Sequence, residues 1–572
     1  MRLFSDEQVA DFRRQGWWTG DTFDALFDRH VAARGPAVAL VDPPNRPAVT
    51  QGEPRRLRWD EVARAVDGVA TAFLRAGLGP DDVVGVQLPN VVELAVVYLA
   101  CIRIGAIASP FPVQYREHEI VAMGDIGGFA ALVTASRVGG RDNAAELAAL
   151  RPRIPTLRTV LAFGGPLPAG VVPLQPALDG ADDPTALRAH RAARTVHPND
   201  CITLCWTSGT ESAPKGVPRA HGDWLAIAET TAGVPGLDAD SVLLCTFPMV
   251  NAGGMGGMFT PWLFTGCRLV LHHPFDVDTF LAQVGAEGVT HSVSPPAVLT
   301  QLLHEPDRLA AADLRTLRTI GSGSTTMLPA MIEGWEARGV EIINFFGSNE
   351  GLSLTGCRAN IPDPALRGHL LPRPGDHGLP TRIRLDHTVR GRLVDLQTGA
   401  DITAAGCPGE LRLAGPAIFA GYWGGGHDPF DERGYFRTGD VFEYQGDRLQ
   451  YVRFLGRARE LIVRGGFKIS PADVEGIVTE HPKVLEAAAV GTPDERLGER
   501  VCVVVVPVPG AVVTLAEIVE FMRQRKVATF KLPERLQIVD ALPRSVAGKI
   551  LKRELRHRLG TELTVGQGLP NG

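Results

Sequence analysis

The sequence predicts an α/β protein: a large N-terminal domain of mixed or parallel sheets covered by helices and carrying a β-rich subdomain, then a small α+β C-terminal domain. Three observations predict it: a strand–helix–strand rhythm from residue 83 to residue 345, short strands with glycine turns after Arg390, and a renewed mix of strands and helices from Gly456. Parallel strands need long crossovers, which helices supply, so the rhythm implies a parallel sheet. Residues 83–88 (VVGVQL) read as a β-branched strand, residues 91–104 as an apolar helix, and residues 105–112 as the next turn. The same pattern recurs at residues 241–247, 267–272, 317–320 and 341–345. Residues 409–426 (GELRLAGPAIFAGYWGGG) carry the texture of the β-rich part. Beyond it come a strand at 461–463, a helix at 470–480 behind a Ser-Pro start, strands at 485–490 and 501–506, and a helix at 515–525. The charged stretch Gly456-Arg457-Ala458-Arg459 marks the boundary, so the large domain is 1–455, with its β-rich part at about 390–455, and the small one 461–572.

Composition excludes several classes. At roughly 150 residues per domain, 572 residues suggest three or four folding units, and 45% hydrophobic with 21% charged residues is an ordinary globular balance. A net charge of −6 leaves no basic field to hold a nucleic acid, so any phosphate is bound locally. The eight cysteines are scattered; Cys201 and Cys205 alone are close, and no histidine pair stands beside them as a zinc site requires. They read as reduced core thiols of a cytoplasmic protein. The longest apolar runs, 94–102 and 501–506, fall short of the ~20 residues that span a bilayer, and residues 1–14 include acidic residues where a signal peptide needs an apolar stretch.

The most informative segment is Trp206-Thr207-Ser208-Gly209-Thr210-Glu211-Ser212-Ala213-Pro214-Lys215-Gly216, behind the apolar strand 202–205. Small residues let backbone N–H groups and hydroxyls approach a phosphate closely, and the lysine adds a mobile positive charge. The Gly-x-x-x-x-Gly-Lys-Ser/Thr loop of GTPases is absent. Further motifs follow in order: Phe346-Gly347-Ser348-Asn349-Glu350, Tyr435-Phe436-Arg437-Thr438-Gly439-Asp440, Gly456-Arg457-Ala458-Arg459-Glu460 running on to Pro471-Ala472-Asp473-Val474-Glu475, and Pro543-Arg544-Ser545-Val546-Ala547-Gly548-Lys549.

On these ordered motifs, from about residue 57 to residue 555, the chain resembles the adenylate-forming superfamily, which includes acyl- and aryl-CoA ligases, luciferases and peptide-synthetase adenylation domains. It departs from the family pattern at Glu211-Ser212, which replace Thr-Gly, at Asn349, which replaces Thr, and at Asn251, where many members carry histidine. The resemblance implies that Thr207, Ser208, Gly209, Thr210 and Lys215 hold the β- and γ-phosphates of ATP, that Glu350 binds Mg²⁺ and that Asn349 sits near the α-phosphate. It further implies that Phe346, in its Phe346-Gly347 turn, stacks on adenine, with Asn344 at the adenine edge, that Asp440 holds the ribose hydroxyls with help from Arg457, and that Lys549 bridges the carboxylate and the α-phosphate. The chemistry suits such a set: an oxyanion attacks phosphorus, pyrophosphate leaves, and catalysis is mostly positioning and charge neutralisation.

By the same resemblance, residues 456–460 are a hinge pivoting at Arg459, which makes the small domain mobile, and Gly465 and Gly466 lie beside the path of a slender pantetheine arm. That arm belongs to coenzyme A or to the phosphopantetheine of an acyl or peptidyl carrier protein; the glycines do not distinguish them. Asn251, Gly253 and Gly257 would form one wall of the acyl pocket, rich in glycine and methionine and so roomy and adaptable. Gly321 and Gly323 would form the other wall. The aromatic N-terminal segment 12–18 and the Arg464-Gly465-Gly466 loop look most like aryl-acid adenylating enzymes and cyclohexanecarboxylate-type CoA ligases, although Ala252 and Gly257 replace the side chains that read catechol hydroxyls. The expected activity is therefore an AMP-forming acid–thiol ligase acting on a small to medium apolar, cyclic or aromatic carboxylate, with coenzyme A as acceptor. The alternatives are an adenylating enzyme that loads a carrier protein and a diazotase-like member that activates nitrite.

Overall fold

A computed structural model describes residues 1–565 apart from 181–182, 208–213, 324–326, 376–377, 382, 384–387, 427, 466, 495 and 546–549. Among the described residues the strands form four sheets. Two of them make the large α/β body. The first runs Val171–Pro173, Thr159–Phe163, Phe129–Ala135, Val83–Gln87, Ile107–Pro110, Cys201–Trp206 and Gly216–Ala220, parallel except for the last pair. The second runs Gly351–Gly356, Glu341–Ser348, Thr319–Gly323, His291–Val293, Val242–Cys245, Arg268–Leu271, Val38–Val41 and Arg56–Arg58, parallel inside and antiparallel at both edges. Central strands such as Phe129–Ala135 and Val242–Cys245 are buried, mostly apolar runs because helices cover both of their faces.

Between these sheets lies the helix Val92–Ile104, all of whose residues are buried. It is apolar all round, the pattern of a helix with no solvent face. One continuous core joins it to Leu40, Leu243 and Leu269 of one sheet and to Val84, Ala108 and Val133 of the other. Its two charged residues need partners. Glu93 pairs with Arg46, which also pairs with Asp42, while Asp42 accepts the Val92 N–H at 2.9 Å and so ties the helix start to the neighbouring strand end. Near the other end Arg103 donates to Asp24 and Asp28 at 2.7 Å and to Asp67 at 3.0 Å.

The third sheet is antiparallel, in the order Leu370–Pro372, Tyr451–Arg457, Phe436–Gln445, Gly409–Ala414, Arg390–Val394. Four of its strands lie in the stretch read as β-rich; Leu370–Pro372 precedes it, and three residues are too few to show an alternating period. The small C-terminal unit pairs Val484–Asp494 with Gly498–Pro507; the other edge of Gly498–Pro507 takes Ile462–Arg464 at its start, which in turn pairs with Phe467–Ile469, and a parallel Arg535–Ile538 further along. Its helices Pro471–Thr479 and Leu515–Gln524 begin at the Ser470 and Thr514 caps. No helix among the described residues is long and apolar enough to cross a membrane.

Replacing Arg46 with methionine strands two buried carboxylates. The expected cost is about 3–5 kcal/mol, the range for breaking a buried ion pair from one side. Urea denaturation followed by tryptophan fluorescence checks this, since Trp59 and Trp262 stack 5.1 Å apart in the same core. An unshifted midpoint would mean that the triad contributes nothing to stability.

Candidate active site

Both sheets end in hairpins at an edge, and the turns of these hairpins meet. The strands Cys201–Trp206 and Gly216–Ala220 are antiparallel partners, with Trp206 opposite Gly216, so the small-residue loop is the connection between two paired edge strands. Its neck is closed by Thr207 and Lys215: the Thr207 N–H donates to Lys215 O at 3.0 Å, and the Lys215 N–H donates to Thr207 Oγ1 at 3.3 Å. Ser208, Gly209 and Thr210 lie outside the described residues. The second turn joins Glu341–Ser348 to Gly351–Gly356 and carries Asn349 and Glu350. Gly351 has φ +128°, and a β-carbon there would stand 2.1 Å from Ala417 O, so this sharp corner requires glycine.

Thr207, Asn349 and Glu350 all line a cavity of about 1250 Å³. Glu350 is half-buried, and its Oε1 accepts the Tyr422 hydroxyl at 2.9 Å. The ring of Tyr422 lies under the Lys215 ammonium, 4.7 Å from its centroid, so one tyrosine touches both the loop lysine and the corner carboxylate. Burial and the adjacent Glu350 carboxylate push the Tyr422 phenol up, keeping it a neutral donor. Asn349 fastens the corner: its Nδ2 donates to Trp206 O at 2.8 Å, its Oδ1 accepts the Ala252 N–H at 2.8 Å, and its main-chain oxygen accepts Arg219 Nη1 at 3.1 Å. Arg219, fully buried, pairs through Nε with Asp223 at 2.9 Å and donates to Ala417 O at 3.0 Å.

On one side of this corner the cavity is apolar. Asn251 caps the π-helix Ala252–Phe259, its Oδ1 accepting the N–H groups of Gly253 and Gly254 at 3.0 and 3.4 Å. Asn251, Gly253 and Gly257 line that wall, with open space where a Gly257 side chain would stand. Gly321 and Gly323 line the opposite wall, and a β-carbon on either would strike Phe345, at 2.8 Å from its ring and 2.1 Å from its carbonyl oxygen. On the other side stand Asn344, Phe346, Gly347, Asp440 and Arg457. Phe346 packs edge-on to Phe442 with centroids 5.1 Å apart, and Asn344 Nδ2 donates to Arg367 O at 3.0 Å. Asp440 faces Arg457 across a strand pair, its Oδ1 2.9 Å from Arg457 Nε.

The small domain closes the cavity. Arg453 of the third sheet donates to Asp473 at 3.1 Å, and Asp473 also accepts Lys531 Nζ at 2.7 Å. Lys549 lies outside the described residues; Ser545 and Ile550, on either side of 546–549, both line the cavity. Arg459 is exposed in a tight turn in which the N–H groups of Glu460 and Leu461 both donate to Arg457 O, at 2.8 and 3.2 Å. Gly465 stands in the hairpin turn between Ile462–Arg464 and Phe467–Ile469, with φ +55° and its N–H donating to Leu497 O at 2.7 Å; Gly466 lies outside the described residues. Sequence reading passed over Tyr422, Arg219 and Arg453. Tyr422 stands in a glycine-rich run and the two arginines within strands, and the proximity that gives each its role arises only from tertiary contacts.

Residues 36–423 match the AMP-binding enzyme family, and residues 473–549 match the AMP-binding enzyme C-terminal domain. The chain is 30% identical over 576 aligned positions to a medium-chain fatty-acid–CoA ligase of Escherichia coli (strain K12), covering 98% of this chain and 94% of that one. It is 30% identical over 573 positions to a salicyl-AMP ligase / salicyl-S-ArCP synthetase of Mycobacterium tuberculosis, covering 97% and 94%. Its fold is similar to the crystal structure of an anthranilate CoA ligase in complex with anthranoyl-AMP, with a TM-score of 0.80 at 21% identity over 95% of this chain and 98% of that one. The match over the large domain, repeated in the small one and extended by relatives along nearly the whole chain, makes this protein a member of the AMP-binding enzyme family.

Proposed function

We propose that the protein uses ATP to convert a small to medium apolar, cyclic or aromatic carboxylic acid into its acyl-adenylate, releasing pyrophosphate, and then transfers the acyl group to the thiol of coenzyme A. The observation that carries this reading is one cavity with a closed-neck phosphate loop and an acidic corner between an apolar chamber and a face bearing Asp440 and Phe346. An acid entering the chamber meets the α-phosphate of ATP at the corner. A carboxylate oxygen forms the new bond to the α-phosphorus as the bond to the pyrophosphate oxygen breaks.

The residues have distinct tasks. Asp440 offers two acceptor oxygens to the ribose hydroxyls, and Arg457 orients that carboxylate. With Nδ2 spent on Arg367 O, Asn344 presents its carbonyl oxygen to the adenine amino group, over which Phe346 supplies the ring face. Thr207 and Lys215 anchor the loop that takes the β- and γ-phosphates together with Ser208, Gly209 and Thr210. Lys549 is the cation for the charge that develops between the carboxylate and the α-phosphate. Asn349 holds the loop base and the first turn of the acyl wall in fixed register, which sets the approach of the two reactants.

Glu350 fits a Mg²⁺ ion: it is a hard oxygen ligand whose Oε1 is fixed by Tyr422. Among the described residues no three Asp, Glu, His or Cys side chains gather into a cage, which suits a cation held by one carboxylate and the substrate phosphates. Mg²⁺ supplies neutralisation of the phosphate charge. In the second half-reaction the small domain turns about Arg459 and the acceptor sulfur attacks the acyl carbon, with AMP leaving. The M. tuberculosis relative, whose name includes S-ArCP synthetase activity, supports a second reading in which the acceptor thiol belongs to a carrier protein.

ATP–pyrophosphate exchange over a panel of acids tests the first half-reaction, and Lys549→Ala should lower it roughly 10²–10³-fold, the effect of deleting one preorganised charge donor. Exchange within a few-fold of wild type would remove Lys549 from the step. Glu350→Gln should raise the Mg²⁺ concentration needed for half-maximal rate, and Tyr422→Phe should raise it less while keeping the ring under Lys215; an unchanged Mg²⁺ titration would count against both roles. Arg459→Pro, by fixing φ near −65°, should preserve exchange and abolish thioester formation. Assays with free coenzyme A and with a pantetheinylated carrier protein then distinguish the two acceptors.

A further inference from the structure

The apolar chamber ends in a group that the activation chemistry does not use. His291, at the start of strand His291–Val293, is buried and yet lines the cavity. Thr319 is the hydrogen-bonding partner of its ring, through Oγ1 at 2.7 Å from Nδ1. Burial lowers the pKa of His291 to about 4, so the ring is neutral near pH 7. A neutral imidazole has one donor and one acceptor nitrogen; whichever role Nδ1 takes toward the Thr319 hydroxyl, Nε2 takes the other. Two other hydroxyls of the chamber already donate to main-chain oxygens: Thr231 to Gly256 O at 2.8 Å and Ser322 to Ser294 O at 2.7 Å.

Strand register gives the depth. His291 lies opposite Thr319 and Val293 opposite Gly321 on parallel strands whose carboxyl ends point to the Asn349–Glu350 corner, and Gly323 lies opposite Phe345 near that corner. From Gly323 back to Thr319 is four residues, about 13 Å at roughly 3.3 Å per residue. Between these depths the cavity passes the Phe345 ring and Val293, which pack over Gly321, and the open space at Gly257. Allowing about 3 Å for a hydrogen bond at the far end leaves about 10 Å for the acid itself.

We propose that His291 selects an acid about 10 Å long bearing a hydroxyl at the end remote from its carboxylate, with the imidazole Nε2 hydrogen-bonded to that hydroxyl. A hydroxyl both donates and accepts, so it satisfies either tautomer, whereas a methyl or hydrogen leaves a buried nitrogen unpaired. The inference rests on the cavity being the acid site.

Two pairs of acids test it by ATP–pyrophosphate exchange: 4-hydroxycinnamate against cinnamate, and 6-hydroxy-2-naphthoate against 2-naphthoate. Wild-type protein should favour the hydroxylated member in kcat/KM by roughly ten- to a hundredfold, the penalty for an unpaired buried polar group. His291→Leu should collapse that ratio to within about twofold while keeping activity on the unsubstituted acids, and His291→Gln, which retains a donor and an acceptor, should restore part of it. A wild-type ratio near one, or a ratio that survives His291→Leu, overturns the role of His291 and leaves the acid site standing as long as cinnamate or 2-naphthoate is activated. If no acid, benzoate and octanoate included, supports exchange by wild-type protein, the acid-site reading itself falls. If His291→Leu does not fold, the wild-type ratios and the glutamine variant decide.

Discussion

A helix whose every residue is buried has no face to give to water, and Val92–Ile104 is such a helix. It can exist only between two layers, and two layers that are both mostly parallel sheets supply them. Much else follows from this. The strand order of each sheet places an antiparallel hairpin at one edge, and the packing of the two sheets on the shared helix brings those edge hairpins to one corner. The buried charges Glu93 and Arg103, near the two ends of the helix, each neutralised by partners from neighbouring elements, hold the layers together without leaving an unpaired ion in the core.

The corner itself is an assembly of small residues and one amide. Gly351 permits the chain to turn against Ala417, and Asn349 uses both ends of its side chain to join the end of one sheet strand to the start of the acyl wall. A threonine at this position has one hydroxyl and could not span both partners in the same way. The substitution therefore trades a short polar side chain for a brace between the Trp206 strand end and the glycine-rich wall of the cavity. Arg219 completes the brace, and Tyr422, from the connection between strands Gly409–Ala414 and Phe436–Gln445, links Glu350 with Lys215.

Electrostatics in the cavity are divided by depth. Charged and strongly polar groups, Glu350, Asp440, Arg457 and the Arg453–Asp473–Lys531 series, stand at the corner and along the third sheet and the small domain. The apolar side is glycine, proline, valine and aromatic surface, with the neutral His291 among its lining residues. An apolar acid would move from water into this chamber with only its carboxylate end left near charge, which is the polarity the proposed reaction requires.

The parallel-sheet rhythm, the β-rich stretch after Arg390, the small α+β unit and the ordered phosphate-loop, acidic-corner, ribose and terminal-lysine motifs were legible in the chain alone, because β-branched runs, amphipathic periods and motif spacing are local properties. Asn344, Phe346, Asp440 and Arg457, read separately from three motifs, do line one cavity, and Gly465 stands in a hairpin turn of the small domain. Tertiary structure alone decided the rest. Two sheets rather than one, the strand Leu370–Pro372 recruited from before the β-rich stretch, the double hydrogen bond of Asn349 and the partnership of Tyr422 with Glu350 all depend on residues far apart in the chain. His291 is the plainest case: its three-residue strand carries no local signal of a site, and only the alignment of that strand with Thr319–Gly323 sets it along the cavity wall. Sequence spacing encodes which residues share an element and a face, but depth inside a cavity is set by how separate elements align, and no local pattern carries that alignment.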